Sequence, residues 1–287
     1  MLKYRLIFGT LMTILFISLI LFDGYIDGSL LEKKENSPVQ ATLLAALIIL
    51  VAVPANFELS KLLKSGGAKI FLPITIASTV LIAAGWYIAQ FFEEPSRFAA
   101  IFFILIFGLS TLAIFLWQGL KYAAIGAFAN CGANLLAICY LGVLTSFIIK
   151  LRIDFGPVAF LMFVFVVKFC DIGAYAFGRL YGKHKFSPVI SPKKTWEGMA
   201  GGVIFSVILA SIFASVFDIM PVFAAVVFGA VFAFLGQLGD LAESMLKRAA
   251  ETKDSASSVP GFGGVLDVID SPLGTAIFAY LFFLFFL

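Results

Sequence analysis

Three aspartates near the end of the chain are the residues whose type and spacing could do chemistry. Asp240 precedes a polar stretch, and Asp267 and Asp270 close it, three residues apart. Carboxylate oxygens are the ligands that Mg²⁺ prefers in proteins. The pattern therefore predicts a magnesium site made of Asp240, Asp267 and Asp270. The alternative is that Asp267 is an ordinary loop acid and that Asp270 only begins a helix.

The residues that follow Asp240 have helical spacing. If the apolar run before Asp240 continues as a helix, one side of that helix is polar and the other is apolar. The polar side holds Asp240, Glu243, Ser244, Lys247 and Glu251. The simplest alternative is a solvent-exposed amphipathic helix, stabilised by an ion pair between Glu243 and Lys247 one turn apart.

A glycine pair and a helix start lie beside these aspartates. The backbone N–H groups of Gly263 and Gly264 can approach an anion closely. Ser271 and Pro272 follow and are residue types that begin helices. Because a helix N-terminus attracts anions, we expect a phosphate between the glycine pair and the start of the ninth helix.

A second polar loop repeats this chemistry. Ser191 and Pro192 are again typical of a helix start, and Lys193, Lys194 and Thr195 fall in the first turn. Cations in a first turn oppose the helix dipole, so their presence favours a nearby polyanion. Lysines that extend to the membrane interface are the alternative.

Long apolar runs must position these polar groups. The chain of 287 residues is 62% hydrophobic and 13% charged, about half the charged fraction of a soluble domain. Apolar runs of about 20 residues recur along it, and each could cross a membrane as a helix. The single histidine leaves no histidine-rich metal site. We predict an all-α polytopic integral membrane protein with a polar active site at the cytoplasmic face.

Nine membrane spans are predicted from these runs. They occupy approximately residues 6–22, 41–57, 70–92, 99–117, 125–149, 157–177, 196–216, 222–239 and 272–287. We divide the chain into an N-terminal transmembrane region, residues 1–150, and a C-terminal catalytic region, residues 151–287. The first holds about five spans, and the second holds about four spans and the polar loops.

The lysines and arginines predict an orientation. With the N-terminus inside, fourteen of the 20 lie on the cytoplasmic side, five lie outside, and Lys168 falls within a span. Cytoplasmic loops carry an excess of lysine and arginine. The loops 178–195 and 240–271 are therefore expected in the cytoplasm, and the C-terminus is expected outside.

Lys168 and Asp171 lie one turn apart near the cytoplasmic end of the sixth span. Ionisable residues within a membrane span are functional candidates by default. Each could partly neutralise the other, and a purely structural ion pair is the alternative.

Three motifs in the C-terminal part resemble those of the phosphatidate cytidylyltransferase (CDP-diacylglycerol synthase) family. The longest, S-x-L-K-R-x4-K-D-x-A-x2-V-P-x-F-G-G-V-x-D-x-I-D-S, covers residues 244–271. Its companions are D-x-G-A-Y-x-x-G-R-x-x-G-K at 171–183 and S-P-K-K-T-W-E-G at 191–198. Two positions depart from the family's usual pattern: Phe262 stands where the family has histidine, and Val268 where it has arginine.

The resemblance implies transfer of CMP from CTP to phosphatidate, giving CDP-diacylglycerol and pyrophosphate. It implies Mg²⁺ as the cofactor, with a monovalent cation as a second candidate. The catalytic residues it implies are Asp240, Asp267, Lys247 and Arg248. The substrate-binding residues it implies are Ser191, Lys193, Lys194, Thr195, Lys253, Gly263, Gly264 and Asp171.

The same resemblance sets the expected partners and location. CTP and phosphatidate are the expected substrates, membrane lipids surround the protein, and nucleic acid is not a partner. A homodimer stays open. The expected location is the bacterial inner (cytoplasmic) membrane.

Two other classes of function remain open. Lys168 and Asp171 could serve a lipid or ion transporter, although clustering of the charges at one face favours an interfacial enzyme. Phe262 and Val268 remove polar groups from the expected site. A non-catalytic or substrate-altered member of the same family would show such changes.

Overall fold

The computed structural model describes residues 2–30, 39–256, 258–259 and 263–287. Within that part the chain forms nine α-helices, a short β-hairpin and one π-helical turn. The helices are α1 (Leu2–Ile26), α2 (Thr42–Ser65), α3 (Leu72–Ala89), α4 (Pro95–Tyr122), α5 (Ala127–Ile138), α6 (Leu144–Tyr181), α7 (Trp196–Phe217), α8 (Val222–Ala249) and α9 (Val265–Phe286). The strands are β1 (Lys185–Ser187) and β2 (Ser191–Thr195), and the π-helical turn is Cys139–Val143. The predicted all-α fold class is confirmed.

Eight helical segments of the described residues are long and apolar enough to cross a membrane. The longest, Ala127–Tyr181, has 55 residues. Its backbone leaves the helical conformation at Gly156, with φ 77° and ψ 177°. Pro157 follows, and a proline cannot donate the next helical hydrogen bond. The predicted fifth and sixth spans are therefore parts of one segment, broken in the interval where we placed their boundary.

The polar loops and the helix ends beside them meet at one end of the bundle. At this end Glu58 of α2 accepts a hydrogen bond from the backbone N of Leu266 in α9. Lys194 of β2 contacts Asp240 of α8 there as well. We call this the site end. Both polar loops singled out from the sequence lie at it.

Aromatic packing holds the C-terminal helices together. Phe163 of α6, Phe228 and Phe232 of α8, and Phe283 of α9 are fully buried. The ring centroids of Phe228 and Phe232 are 4.2 Å apart, and those of Phe228 and Phe283 are 5.1 Å apart. This core fixes α8 against α6 and α9, the helices that carry the acidic residues.

A glycine allows α8 and α9 to approach each other near the site end. A Cβ on Gly239 would lie 3.3 Å from the Asp270 carbonyl oxygen and 3.4 Å from Ser271. Such a contact is tighter than most side chains tolerate, so glycine suits this crossing. The close approach brings Asp240, the next residue of α8, beside Asp270 of α9.

The predicted start of the ninth helix was wrong. We expected the helix to begin at Ser271 and Pro272, but α9 begins at Val265 and Pro272 lies inside it. Because a proline has no N–H, the Val268 carbonyl lacks its backbone donor within the helix. Carboxylate acceptors stabilise the earlier start, since Asp267 accepts a hydrogen bond from the Gly264 backbone N at 2.7 Å.

The predicted helix start at Ser191 and Pro192 was also wrong. Residues 191–195 form β2, which pairs antiparallel with β1. The helix begins at Trp196, and the Thr195 side chain caps it by accepting from the Gly198 backbone N at 3.1 Å. Threonine is a favoured capping residue, so Lys193 and Lys194 precede the helix rather than occupy its first turn.

Candidate active site

The polar side of α8 faces into the protein. Glu243, Ser244 and Lys247 are buried, whereas Leu238 and Met245 are 42% and 51% exposed. A solvent-exposed amphipathic helix has the opposite arrangement. That alternative is therefore excluded for α8, whose polar groups contact β2 and α9.

Three carboxylates meet where α8 and α9 cross. One oxygen from each of Asp240, Glu243 and Asp270 lies within 4.8 Å of the others. We call these residues the acidic trio. Glu243 is fully buried and Asp270 is 5% exposed. Charged groups at such depth require compensation by opposite charges or by a cation.

Each member of the acidic trio has a lysine beside it. Lys194 Nζ lies 2.6 Å from Asp240 Oδ2, and Lys168 Nζ lies 3.3 Å from Asp270 Oδ1. Lys247 Nζ lies 2.5 Å from Glu243 Oε2. The other oxygen of Glu243, Oε1, is buried and has no hydrogen-bond partner in the described structure.

The balance of charges in the site favours binding of a divalent cation. Asp171 and Asp267 flank the acidic trio, so five carboxylates face the same three lysines. The carboxylates therefore outnumber the lysines that contact them, which favours binding of a cation. Three clustered carboxylates and a free buried oxygen on Glu243 fit the oxygen ligation of this ion.

The structure does not bring Asp267 into the acidic trio. Its Oδ1 accepts from Lys247 Nζ at 2.6 Å. Its Oδ2 accepts from the backbone N and the Oγ of Ser255, at 3.0 and 2.9 Å, and from the Gly264 backbone N. Because α9 begins earlier than expected, Asp267 sits in its first turn and binds the helix start. Its assignment as a magnesium ligand stays a prediction.

The glycine pair is engaged by the protein itself. The Gly263 backbone N donates to the Val259 carbonyl at 3.2 Å, and the Gly264 backbone N donates to Asp267. The expectation that these groups are free for an anion is therefore wrong for this structure. A Cβ on Gly264 would collide with Ser255 Oγ and Glu58 Oε2, so the loop packs closely around glycine. Pro260, Gly261 and Phe262 lie outside the described residues.

Glu58 occupies the anion position at the start of α9, and the sequence reasoning missed it. Its carboxylate accepts from the backbone N of Val265 and of Leu266, each at 3.0 Å. It also accepts from Ser255 Oγ at 3.1 Å and from Ser258 Oγ. A protein carboxylate thus fills the place where we expected a phosphate. A lone acid at the end of an apolar run is the signal that could have indicated it.

Lys168 and Asp171 make their closest contacts with other residues. Lys168 pairs with Asp270, and Asp171 accepts a hydrogen bond from Gln237 Nε2 at 2.7 Å. Lys168 still interacts electrostatically with Asp171. Both residues therefore belong to the charge network of the acidic trio rather than to an isolated ion pair.

The remaining cations divide into two groups. Lys194 is part of the site, and its Nζ also donates to the Gln237 carbonyl at 3.3 Å. Lys193, Arg248 and Lys253 are exposed at the site end. Arg248 Nε donates to the carbonyl of Ile190 at 3.2 Å, which joins the end of α8 to the β-hairpin. These three side chains remain accessible to an anionic molecule from solution.

Comparison with known proteins gives a consistent result. A family model described as "Cytidylyltransferase family" matches residues 3–286. Proteins from several bacteria that are named phosphatidate cytidylyltransferase are similar to this chain. The one from Bacillus subtilis (strain 168) is 39% identical over 156 residues, covering 53% of this chain and 58% of that protein.

Two staphylococcal proteins of the same name are similar to this chain. The protein from Staphylococcus saprophyticus is 40% identical and that from Staphylococcus epidermidis is 38% identical, each over 147 residues. Each alignment covers 50% of this chain and 56% of the relative. The chain thus spans a little over half the length of the curated relatives it matches.

Proposed function

Because the chain belongs to the cytidylyltransferase family, we propose that it transfers CMP from CTP to phosphatidate, giving CDP-diacylglycerol and pyrophosphate. The observation that carries this proposal is the acidic trio with its lysines, at one end of helices long enough to cross a membrane. Such a place can receive a lipid from the bilayer and a nucleotide from water. We propose that residues 151–287 carry the chemistry and that residues 1–150 support it.

The reaction needs no activated side chain. A phosphate oxygen of phosphatidate attacks the α-phosphorus of CTP, and a new P–O bond forms. The bond from the α-phosphorus to the bridging oxygen of the β-phosphate breaks, and pyrophosphate leaves with that electron pair. The second pKa of a phosphate monoester is about 6, so the attacking group is already anionic at neutral pH. The protein must therefore align two polyanions and neutralise their charge.

The acidic trio would hold Mg²⁺, with Glu243 as the ligand that sequence reasoning did not assign. When bound, Mg²⁺ neutralises nucleotide phosphates and stabilises the departing pyrophosphate. Lys168, Lys194 and Lys247 hold the carboxylates in place by their ion pairs. A monovalent cation remains a second candidate for this network.

The exposed cations of the site end would bind the phosphate groups of the substrates. Lys193, Arg248 and Lys253 are accessible there, and arginine and lysine are the usual partners of phosphate oxygens. Ser191 and Thr195 lie on the same strand as Lys193 and would help to place the nucleotide. Gly263 and Gly264 would line the site through their backbone, without donating free N–H groups.

The test is a product assay with the purified protein in detergent. We expect labelled CTP, phosphatidate and Mg²⁺ to give a labelled liponucleotide, which thin-layer chromatography separates from CTP. Asp240→Asn should abolish most of this product, because it removes one carboxylate of the acidic trio. No product above a no-protein control, from folded wild-type protein and with dCTP also supplied, would refute the proposed reaction.

A non-catalytic relative is the second candidate, because Val268 stands in α9 between Asp267 and Asp270 where the family resemblance leads us to expect arginine. Under the main proposal, Val268→Arg preserves or raises turnover of an already active protein. If the wild type binds CTP without turnover, the second candidate is correct.

A further inference from the structure

The hydroxyl of Tyr140 is buried and has no hydrogen-bond partner in the described structure. It interacts electrostatically with Asp270, Glu243 and Asp240, the three members of that group. A buried hydroxyl without a partner costs free energy. Nothing in the proposed chemistry above uses this residue, so its position requires a separate explanation.

The backbone around Tyr140 has an unusual conformation. Tyr140 lies in the π-helical turn Cys139–Val143, between α5 and α6. A π-helical turn holds one more residue than an α-helical turn, which changes the direction in which its side chains point. Such turns are rare and occur frequently at functional sites. This turn packs against α2, α3 and α9.

The ring and the hydroxyl of Tyr140 have different surroundings. The ring packs against a buried apolar cluster that includes Leu59 of α2 and Leu266 of α9. Leu246 of α8 and Ile269 of α9 pack against the same cluster, and they lie three residues after Glu243 and one residue before Asp270. Packing therefore fixes the ring beside the segments of α8 and α9 that carry the trio. The hydroxyl, a hydrogen-bond donor, interacts electrostatically with the three carboxylates.

Glu243 offers the complementary group. Its Oε1 atom is buried and without a hydrogen-bond partner, as is the Tyr140 hydroxyl. One atom is an acceptor and the other a donor, and both belong to the same charged region. Two unpaired buried polar atoms in one region indicate a site whose hydrogen bonds form when it is loaded.

We propose that Tyr140 is a positioning residue of the acidic trio: in the cation-loaded site its hydroxyl donates a hydrogen bond to one of the three carboxylates. This inference rests on the proposed function only in taking the trio as the cation site. Partners of this kind orient the ligands of a metal ion. It also gives the N-terminal region, residues 1–150, a direct part in the site.

The test compares Tyr140→Phe with Tyr175→Phe. Tyr175 is 65% exposed on α6, so its substitution removes a hydroxyl without touching the acidic trio. Mn²⁺ serves as the probe, and electron paramagnetic resonance measures its binding to the purified protein in detergent without nucleotide. Melting temperatures are recorded with and without Mn²⁺.

We expect Tyr140→Phe to bind Mn²⁺ roughly tenfold to a hundredfold more weakly than wild type, the range found for partners that orient metal ligands. Without metal its melting temperature should equal or exceed that of wild type, because the change removes an unpaired buried hydroxyl. In a Glu243→Gln background, Tyr140→Phe should have a smaller effect, because the two residues act together. Tyr175→Phe should match wild type throughout.

Two results would overturn the inference. Mn²⁺ affinity equal to that of Tyr175→Phe would show that the hydroxyl does not serve the trio. A loss of folding or of metal-free stability in Tyr140→Phe would assign the hydroxyl a structural role. Absence of CTP turnover in a wild type that binds Mn²⁺ would contradict the proposed function alone, since the binding measurement still decides the role of Tyr140.

Discussion

Lys247 links the acidic trio to the first turn of α9. Its ammonium group lies 2.5 Å from Glu243 and 2.6 Å from Asp267, and the residue is 8% exposed. One buried cation thus compensates two carboxylates on two helices. Removing one partner of a buried ion pair lowers stability by more than the pair contributes, because the remaining charge is buried without compensation. Asp267 should therefore matter to stability even if it binds no metal.

The first prediction separates these two roles of Asp267. Asp267→Asn should lower stability by about 1–3 kcal/mol, because an amide cannot satisfy Lys247 and the donors of Ser255 and Gly264 equally well. If the contacts with Lys247, Ser255 and Gly264 are the whole role of Asp267, Mn²⁺ affinity should stay close to that of wild type. Melting curves and Mn²⁺ titration measure the two effects. The control is Asp254→Asn, the same change at an exposed acid between α8 and α9. Strongly weakened Mn²⁺ binding with normal melting would instead show that Asp267 is a ligand.

The sequence indicated part of the acidic trio and not all of it. Asp240 and Asp270 were predicted to share a site, because one lies on a helical polar face and the other beside it. Glu243 was placed on the polar face without a metal role, and its ion pair with Lys247 was considered only in the solvent-exposed alternative, since spacing along one helix cannot show which face is buried. Glu58 was missed because its partners lie about 200 residues away, and no local pattern reports such a distance.

At the scale of elements, Glu58 of α2 connects this helix to Ser255 and to the first residues of α9. We call these contacts of Glu58 the tether. Glu58 accepts hydrogen bonds from Ser255, Val265 and Leu266. It stabilises the N-terminus of α9 both by hydrogen bonding and by its charge. The N-terminal region is thereby joined to the loop that carries the most specific motif.

We predict that Glu58→Gln loosens this loop. The Glu58 carboxylate accepts from four donors, two hydroxyls and two backbone N–H groups. An amide has only one acceptor oxygen, and its NH₂ group would face some of these donors. The free energy of unfolding should therefore fall by about 1–3 kcal/mol. Trypsin should then cleave faster after the exposed Lys253, which lies within the loop. Glu93→Gln, the same change at an exposed residue, should leave the cleavage rate unaltered. An unchanged cleavage rate in a normally folded Glu58→Gln protein would show that the tether does not restrain the segment around Lys253.

At the scale of the whole molecule, apolar composition was enough to predict the architecture. Apolar runs of about 20 residues are long enough to cross a bilayer, and a helix satisfies its own backbone hydrogen bonds there. A bundle of membrane helices was therefore the expected fold. Boundaries were less predictable where tertiary contacts decide them. Glu58 and Asp267 start α9 seven residues before the expected position, and Thr195 starts α7 after a strand that the sequence analysis interpreted as helix.

The orientation of this bundle is the prediction that concerns the whole chain. Both polar loops lie at the site end, and the lysine and arginine distribution predicts that this end faces the cytoplasm. A Lys253→Cys variant should therefore react with a membrane-impermeant maleimide in inside-out vesicles and not in right-side-out vesicles. A cysteine added after Leu287 should show the opposite pattern. Labelling of Lys253→Cys in right-side-out vesicles would show that the protein has the opposite orientation.

The acidic trio is proposed to hold the divalent cation of a CMP transfer reaction. The most direct test of this claim is CTP turnover as a function of Mg²⁺ concentration, with wild type compared with Glu243→Gln and with the exposed control Glu251→Gln. We predict that Glu243→Gln loses on the order of a hundredfold or more in turnover, because stabilisation by the metal ion is lost. Glu251→Gln should follow the wild-type curve. Wild-type turnover and an unchanged Mg²⁺ dependence in a well-folded Glu243→Gln protein would contradict the claim.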